Sequence, residues 1–238
     1  MPWRSKLEKD PSQPESDLDS ICLNDVPAKS IDWLRPDMWA QGYLSLLVGD
    51  PGLGKSFVAL DAAARISRGD DWPEGGKARQ GNVCLLTAED GLSDTVRPRL
   101  ENMGADLNCI GVIRTIGNEG SLPRLDRDVD KIWRELRRQS AAALIIDPLS
   151  VYMGDVNSSN DEKVRRVLGP LAALAEDLRI AVLAIKHLNK NEERSQISRV
   201  GGSIGFVAAA RSVFRVKEHP RDKDRRVITP IKTNHGHP

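Results

Sequence analysis

The stretch Gly49-Asp50-Pro51-Gly52-Leu53-Gly54-Lys55-Ser56 sets glycines, a lysine and a hydroxyl at the spacing G-x-x-x-x-G-K-[ST]. These residue types in this order suit one task, the holding of a polyphosphate. Glycines let the backbone turn tightly and aim successive N–H groups at one point. A helix that starts there adds its positive end. Lys55 would reach the β- and γ-phosphates, and the Ser56 hydroxyl would ligate Mg²⁺. Phe57 follows directly and completes the candidate binding segment, residues 49–57.

Such a loop works only when a strand feeds it and a helix leaves it. Tyr43 to Val48 is a short apolar run of buried-strand type. Ser56 to Ile66 reads as a helix, with Phe57, Leu60 and Ala64 at helical spacing, ending near Gly69. Three further apolar runs end in polar residues. Val83 to Leu86 runs into Thr87, Glu89 and Asp90. Leu144 to Ile146 ends at Asp147, and Ile180 to Ile185 ends at Lys186 and His187. In an α/β sheet, residues just beyond the carboxyl ends of strands face the ligand crevice. Glu89 has two readings of similar weight: an acid that activates a water beside the terminal phosphate, or a solvated acid that opens the next helix. Asp147 suits a carboxylate that holds Mg²⁺ through water; the blander alternative is an acid that ends its strand. A lone histidine is more often structural, but His187 gains weight from the edge on which it falls.

The alternation of such runs with helical patterns predicts an α/β protein with a mostly parallel sheet. Residues 93–104 read as a helix interrupted by Pro98. Cys109 to Arg114 reads as a strand, and Asp126 to Arg138 as an amphipathic helix with Val129, Ile132, Trp133 and Leu136 inward. Residues 161–178 form a helical pattern that Pro170 should kink. Ser203 to Ala210 has helical turns. Arg211 opens a strand, residues 219–226 form a charged hairpin turn, and residues 227–234 form the last strand. Trp33 and Trp39 are expected to pack at the entrance to the first buried strand. Residues 1–29 are polar and rich in Pro, Ser, Asp and Glu, and are read as a flexible arm before a domain over 30–238.

Thirty-five basic and 34 acidic residues leave a formal charge of +1, so any nucleic-acid contact must be local, on loops or in a channel. Cys22, Cys84 and Cys109 are too few and scattered for a disulfide framework or a zinc site, and read as small buried hydrophobes. No apolar run reaches membrane-spanning length and no signal-peptide pattern opens the chain, which predicts a soluble, cytoplasmic protein.

Taken in order, GDPGLGKS, TAED after a strand, LIIDP, and IKHLNK followed by GGSIGFVAAAR resemble the RecA-like ATPases of the RepA type, related to the hexameric replicative helicases of the RepA and DnaB kind. The resemblance runs from about Trp33 to Thr233, and WPEG and EDGLSDTVRPRL are typical of the group. It implies a RecA-like P-loop fold, with Gly49, Asp50, Pro51, Gly52, Leu53, Gly54, Lys55 and Ser56 as the Walker A loop. It assigns Glu89 to the water-activating glutamate, Asp147 to the Walker B aspartate, His187 to the γ-phosphate sensor and Arg211 to the arginine finger given to a neighbouring subunit. It further implies ATP and Mg²⁺ as cofactors and a homo-oligomer, a hexameric ring, with no membrane partner. Single-stranded DNA would be contacted through loops 154–160 and 189–202. Relatives continue with further strands beyond the segment Lys232-Thr233-Asn234, so a truncated or differently finished C-terminal edge is expected here.

The function expected is an ATP hydrolase that translocates on or unwinds DNA in replication of a mobile element. A regulatory ATPase acting on a protein partner without unwinding is the alternative. A small-molecule phosphotransferase ranks third, with Arg194 to Arg199 as its only candidate lid.

Overall fold

The computed structural model describes residues 21–116, 120–156, 159–188 and 204–234. The expected arm over 1–29 therefore lies outside the described residues except for 21–29. The chain divides into two units, Met1–Ile31 and Asp32–Pro238. In the first, the described residues hold one 3-10 turn, Leu23–Asp25, and Ile21 and Leu23 are exposed.

The second unit is built on a seven-stranded sheet. In chain order its strands are β3 (Leu44–Gly49), β4 (Asn82–Thr87), β5 (Ile110–Val112), β6 (Ala141–Asp147), β7 (Ala181–His187), β8 (Ser212–His219) and β9 (Asp222–Thr233). A two-stranded antiparallel ribbon, β1 (Trp33–Arg35) and β2 (Trp39–Ala40), precedes them. The spatial order is β5-β4-β6-β7-β3-β8-β9, with only the β8–β9 pair antiparallel. The expected mixed α/β architecture with a mostly parallel sheet is the one observed.

Both faces of the sheet are covered, so its central strands are apolar without alternation. Leu47, Val83, Leu85, Ile145, Leu183 and Ile185 pack with α1 (Lys55–Arg68) and α2 (Arg97–Asn102) on one face. Leu46, Val48, Leu86, Ile146 and Val182 pack on the other with α3 (Val129–Arg138), α5 (Asp161–Leu178) and α6 (Ile204–Ala209). A single turn, α4 (Leu149–Tyr152), follows β6.

Several local expectations need correction. The helix expected over 93–104 changes character beside Pro98: a π-type turn over Leu92–Val96 gives way to α2 at Arg97, and Pro98 falls in the first turn of α2. Helix α5 continues past Pro170, which lies inside it and supplies no N–H to the helix. Helix α3 begins at Val129, because Asp128 turns back and accepts the Arg124 N–H at 3.0 Å. Phe57 is 50 % exposed, since α1 buries Ala59, Leu60, Ala62, Ala63 and Ile66 instead. The charged stretch 219–226 is mostly strand: β9 starts at Asp222, and Glu218 pairs with Arg226. Of the cysteines only Cys84 is fully buried, and burial pushes its thiol up to about 12.

Trp39 is buried as expected. It meets Trp72 edge to face at 5.9 Å, with the Arg35 guanidinium 5.0 Å from one ring and 5.2 Å from the other. Trp33 is only half-buried. Among the described residues, no helix is long and apolar enough to cross a membrane.

Candidate functional site

Gly49 ends β3 because nothing larger fits there: a Cβ at Gly49 would lie 2.7 Å from the Val216 carbonyl oxygen on β8. The loop then turns through Gly52 and Gly54, both at φ +78°, a left-handed conformation that side chains disfavour. Gly54 is the residue before α1, so the loop ends at the positive end of a fourteen-residue helix.

Lys55, the first residue of α1, is 3 % exposed, and its ammonium donates to the Asp50 carbonyl at 2.8 Å. Burial pulls its pKa down, opposed by the nearby carboxylates of Asp147, Asp50 and Glu89. The amine is thereby folded back across its own loop, onto a carbonyl that phosphate oxygens could replace.

The carboxyl edges of β4, β6, β7 and β3 lie side by side. Thr87 pairs with Asp147, and Gly49 with His187. The Ala88 N–H donates to the Asp147 carbonyl at 3.3 Å, and the Leu188 N–H to the Gly49 carbonyl at 3.2 Å. The sheet register therefore brings together the site residues expected from four separate runs. Asp147 is hydrogen-bonded by the Ser56 hydroxyl. Burial pushes its carboxyl pKa up, and the Ser56 bond opposes this. The Asp147–Pro148 peptide is cis.

Glu89 lies two residues past β4 with its side chain 58 % exposed, and one of its oxygens is 3.9 Å from Nε2 of His187. The His187 Nδ1 is buried without a hydrogen-bond partner among the described residues. An exposed carboxylate beside a phosphate loop, flanked by an imidazole, can accept a proton from a water and hold it in line.

Residues able to hold a divalent cation are Ser56 and Asp147. Among the described residues no group of three or more His, Cys, Asp or Glu could hold a metal ion. This donor set fits Mg²⁺, which keeps several waters and takes substrate phosphates with one or two protein oxygens.

Arg211 lies elsewhere. Its N–H donates to the Leu44 carbonyl at 2.8 Å, at the amino end of β3. The parallel β3–β8 register puts this about five residues, roughly 17 Å, from Gly49. It cannot reach its own phosphate loop. Of the candidate DNA loops, 189–202 lies outside the described residues, and with it the candidate lid Arg194 to Arg199; 154–160 is described except for 157 and 158.

A family model described as the AAA domain matches residues 8–193. The chain belongs to the AAA domain family. A solved structure of an ATPase domain shares the fold, with a TM-score of 0.58 and 15% identity over 83% of this chain and 79% of that one. The observed sheet is thus the RecA-like P-loop fold, and this AAA-family chain is a P-loop ATPase.

Sequence reasoning missed two arginines at the AAA site. Arg215 on β8 pairs with Val48, and its guanidinium is 3.8 Å from an Asp50 oxygen. Arg99 on α2 holds Asp90 at 2.6 Å and lies 4.6 Å over the Phe57 ring. For the second, the one signal in the sequence was an aromatic residue placed straight after Ser56.

Proposed function

We propose that this P-loop ATPase is an Mg²⁺-dependent motor of the RepA type, which hydrolyses ATP between the subunits of a ring and uses it to translocate on or unwind DNA in replication of a mobile element. The observation that carries this reading is the meeting of Glu89 and His187, 3.9 Å apart, beside the Ser56–Asp147 pair. ATP lies along Gly49–Ser56 with its terminal phosphate toward Glu89. Lys55 leaves the Asp50 carbonyl for the β- and γ-oxygens, and Glu89 accepts the proton of the attacking water. Ser56, and Asp147 through water, would hold Mg²⁺, which would supply neutralising charge for the phosphates. His187 reports the state of the terminal phosphate to the segment that follows β7. Arg211, too far from its own loop, serves a neighbouring subunit as its arginine finger. The ring is hexameric, as in the family the motifs resemble.

A second reading, a regulatory ATPase that acts on a protein partner, draws on Tyr152. Neither candidate DNA loop contains Phe, Tyr or Trp, and Tyr152, two residues before the first, has no face free for base stacking at 1 % exposure. DNA binding would then rest on backbone phosphates alone.

The deciding experiment is ATP turnover with and without single-stranded DNA across a salt series, run beside a mass measurement in ATP. Stimulation that fades steeply with salt, together with a ring-sized mass, supports the motor. A monomer whose turnover ignores DNA supports the regulatory reading.

A further inference from the structure

Arg211 stands at the surface on an unusually well-fixed base. Its N–H is taken by the Leu44 carbonyl at 2.8 Å, and its own carbonyl accepts the Asn234 N–H at 3.1 Å. The Lys232 ammonium donates to the carbonyls of Val207 and Ala210, at 2.8 Å each, and so pins the turn that leads into Arg211 from α6. The main chain is thus held from three sides. The side chain beyond it is held differently: its guanidinium lies 5.2 Å over the ring of Tyr43. Among the described residues no carboxylate is paired with it within 4 Å.

A guanidinium over an aromatic face is attracted by the ring quadrupole without being neutralised. A carboxylate partner would hold Arg211 more tightly but would cancel the charge that a finger has to deliver. A free arginine would carry its rotamer entropy into each insertion. A ring lies between these extremes, aiming the side chain while leaving its charge available.

We propose that Tyr43 is a positioning residue for Arg211, a platform that pre-orients the guanidinium for the site of the next subunit. The inference rests on the finger reading of Arg211. It also gives β3 a double duty. Tyr43 immediately precedes this strand and Gly49 ends it, so one rigid element joins the platform for the neighbour's site to the phosphate loop of the subunit's own.

The test is steady-state ATP hydrolysis by the full chain carrying Tyr43→Leu, Tyr43→Phe, Arg211→Ala, or Tyr43→Leu with Arg211→Ala. Leucine keeps apolar bulk and removes the π face; phenylalanine keeps the face and removes the hydroxyl. Tyr43→Leu is expected to lower kcat about tenfold with KM for ATP within about twofold, and Tyr43→Phe to restore turnover. In the double variant the leucine should add nothing to Arg211→Ala, because a platform without its arginine has nothing to place. Additive losses in the double variant, parent kcat in Tyr43→Leu, or a loss in Tyr43→Phe equal to that in Tyr43→Leu would each overturn the role of Tyr43 and leave the finger intact. Parent turnover in Arg211→Ala would instead remove the finger reading, and the platform with it.

Discussion

One carboxylate oxygen of Glu89 lies 3.9 Å from Nε2 of His187, although 97 residues of chain separate them. The contact follows from strand order. Strand β7 lies between β6 and β3, so the residue that ends it falls beside the phosphate loop and opposite the exit of β4. Glu89→Gln removes the charge of the proposed base while keeping the size and the neutral hydrogen bonds of the side chain. The variant should bind ATP as the parent does and lose about 10²- to 10⁴-fold in turnover, the usual worth of a general base. Nucleotide binding by fluorescence titration and single-turnover hydrolysis separate the two effects. Hydrolysis at the parent rate would place the base on another residue.

Asp147 and Ser56 form the second relationship at this edge, a hydroxyl bonded to a largely buried carboxyl whose pKa burial raises. Asp147→Asn keeps a side-chain acceptor for Ser56 but removes the charge that would attract a cation. Turnover should fall, and the Mg²⁺ concentration for half-maximal activity should rise about tenfold or more, as expected for loss of one charged contact to the ion's shell. A magnesium titration of ATP hydrolysis reads both. An unchanged magnesium midpoint would leave Asp147 as a residue that merely ends its strand.

The carboxyl-edge residues were legible because each follows a short apolar run, and parallel strands deliver the residues after such runs to one side. Thr87, Asp147 and His187 needed no knowledge of strand order to be grouped. Arg215 was not legible, since it sits inside β8, and its nearness to Asp50 depends on β8 pairing with β3 across 167 residues at Ser45 and Ser212. Trp72 was hidden in a turn-rich stretch, yet it is buried under Trp39 with its indole N–H on the Leu34 carbonyl at 3.1 Å. The start of β9 gave no apolar signal: Asp222 pairs with His219 and Arg226 with Glu218 through the backbone, and the side chains of residues 223–226 are exposed. Helical spacing for Phe57 was correct, but spacing alone does not say which first-turn residue projects past the sheet.

Gly49 offers a test of the loop's geometry apart from its chemistry. A methyl group here meets the Val216 carbonyl oxygen at 2.7 Å, a backbone atom that cannot swing aside. Gly49→Ala should destabilise the fold by about 1–3 kcal/mol, the range for overpacking, and weaken ATP binding by displacing the loop. Urea denaturation and nucleotide titration check the two parts. A variant as stable as the parent would mean that β3 and β8 separate at this point at little cost.

Acid sensitivity should report a site far from the nucleotide. The Glu135 carboxyl is held down to about 2, first by the Arg138 guanidinium that bonds it and next by the Gln139 amide. A carboxyl whose pKa is lower in the folded state than in the unfolded chain stabilises the fold once it is ionised in both states. That contribution is complete above the ordinary glutamate pKa, near 4.5, and is lost as the pH falls from there through about 2. The side chain is 32 % exposed and the Arg138 side chain 71 %, so solvent screening keeps the contribution modest. Glu135→Gln should therefore lower stability at neutral pH and flatten its decline in acid, bringing the two proteins together near pH 2. Urea midpoints for parent and variant between pH 7 and the acid limit of folding measure the gap. A gap that stays constant with pH would assign the loss to packing at the end of α3 rather than to the charge.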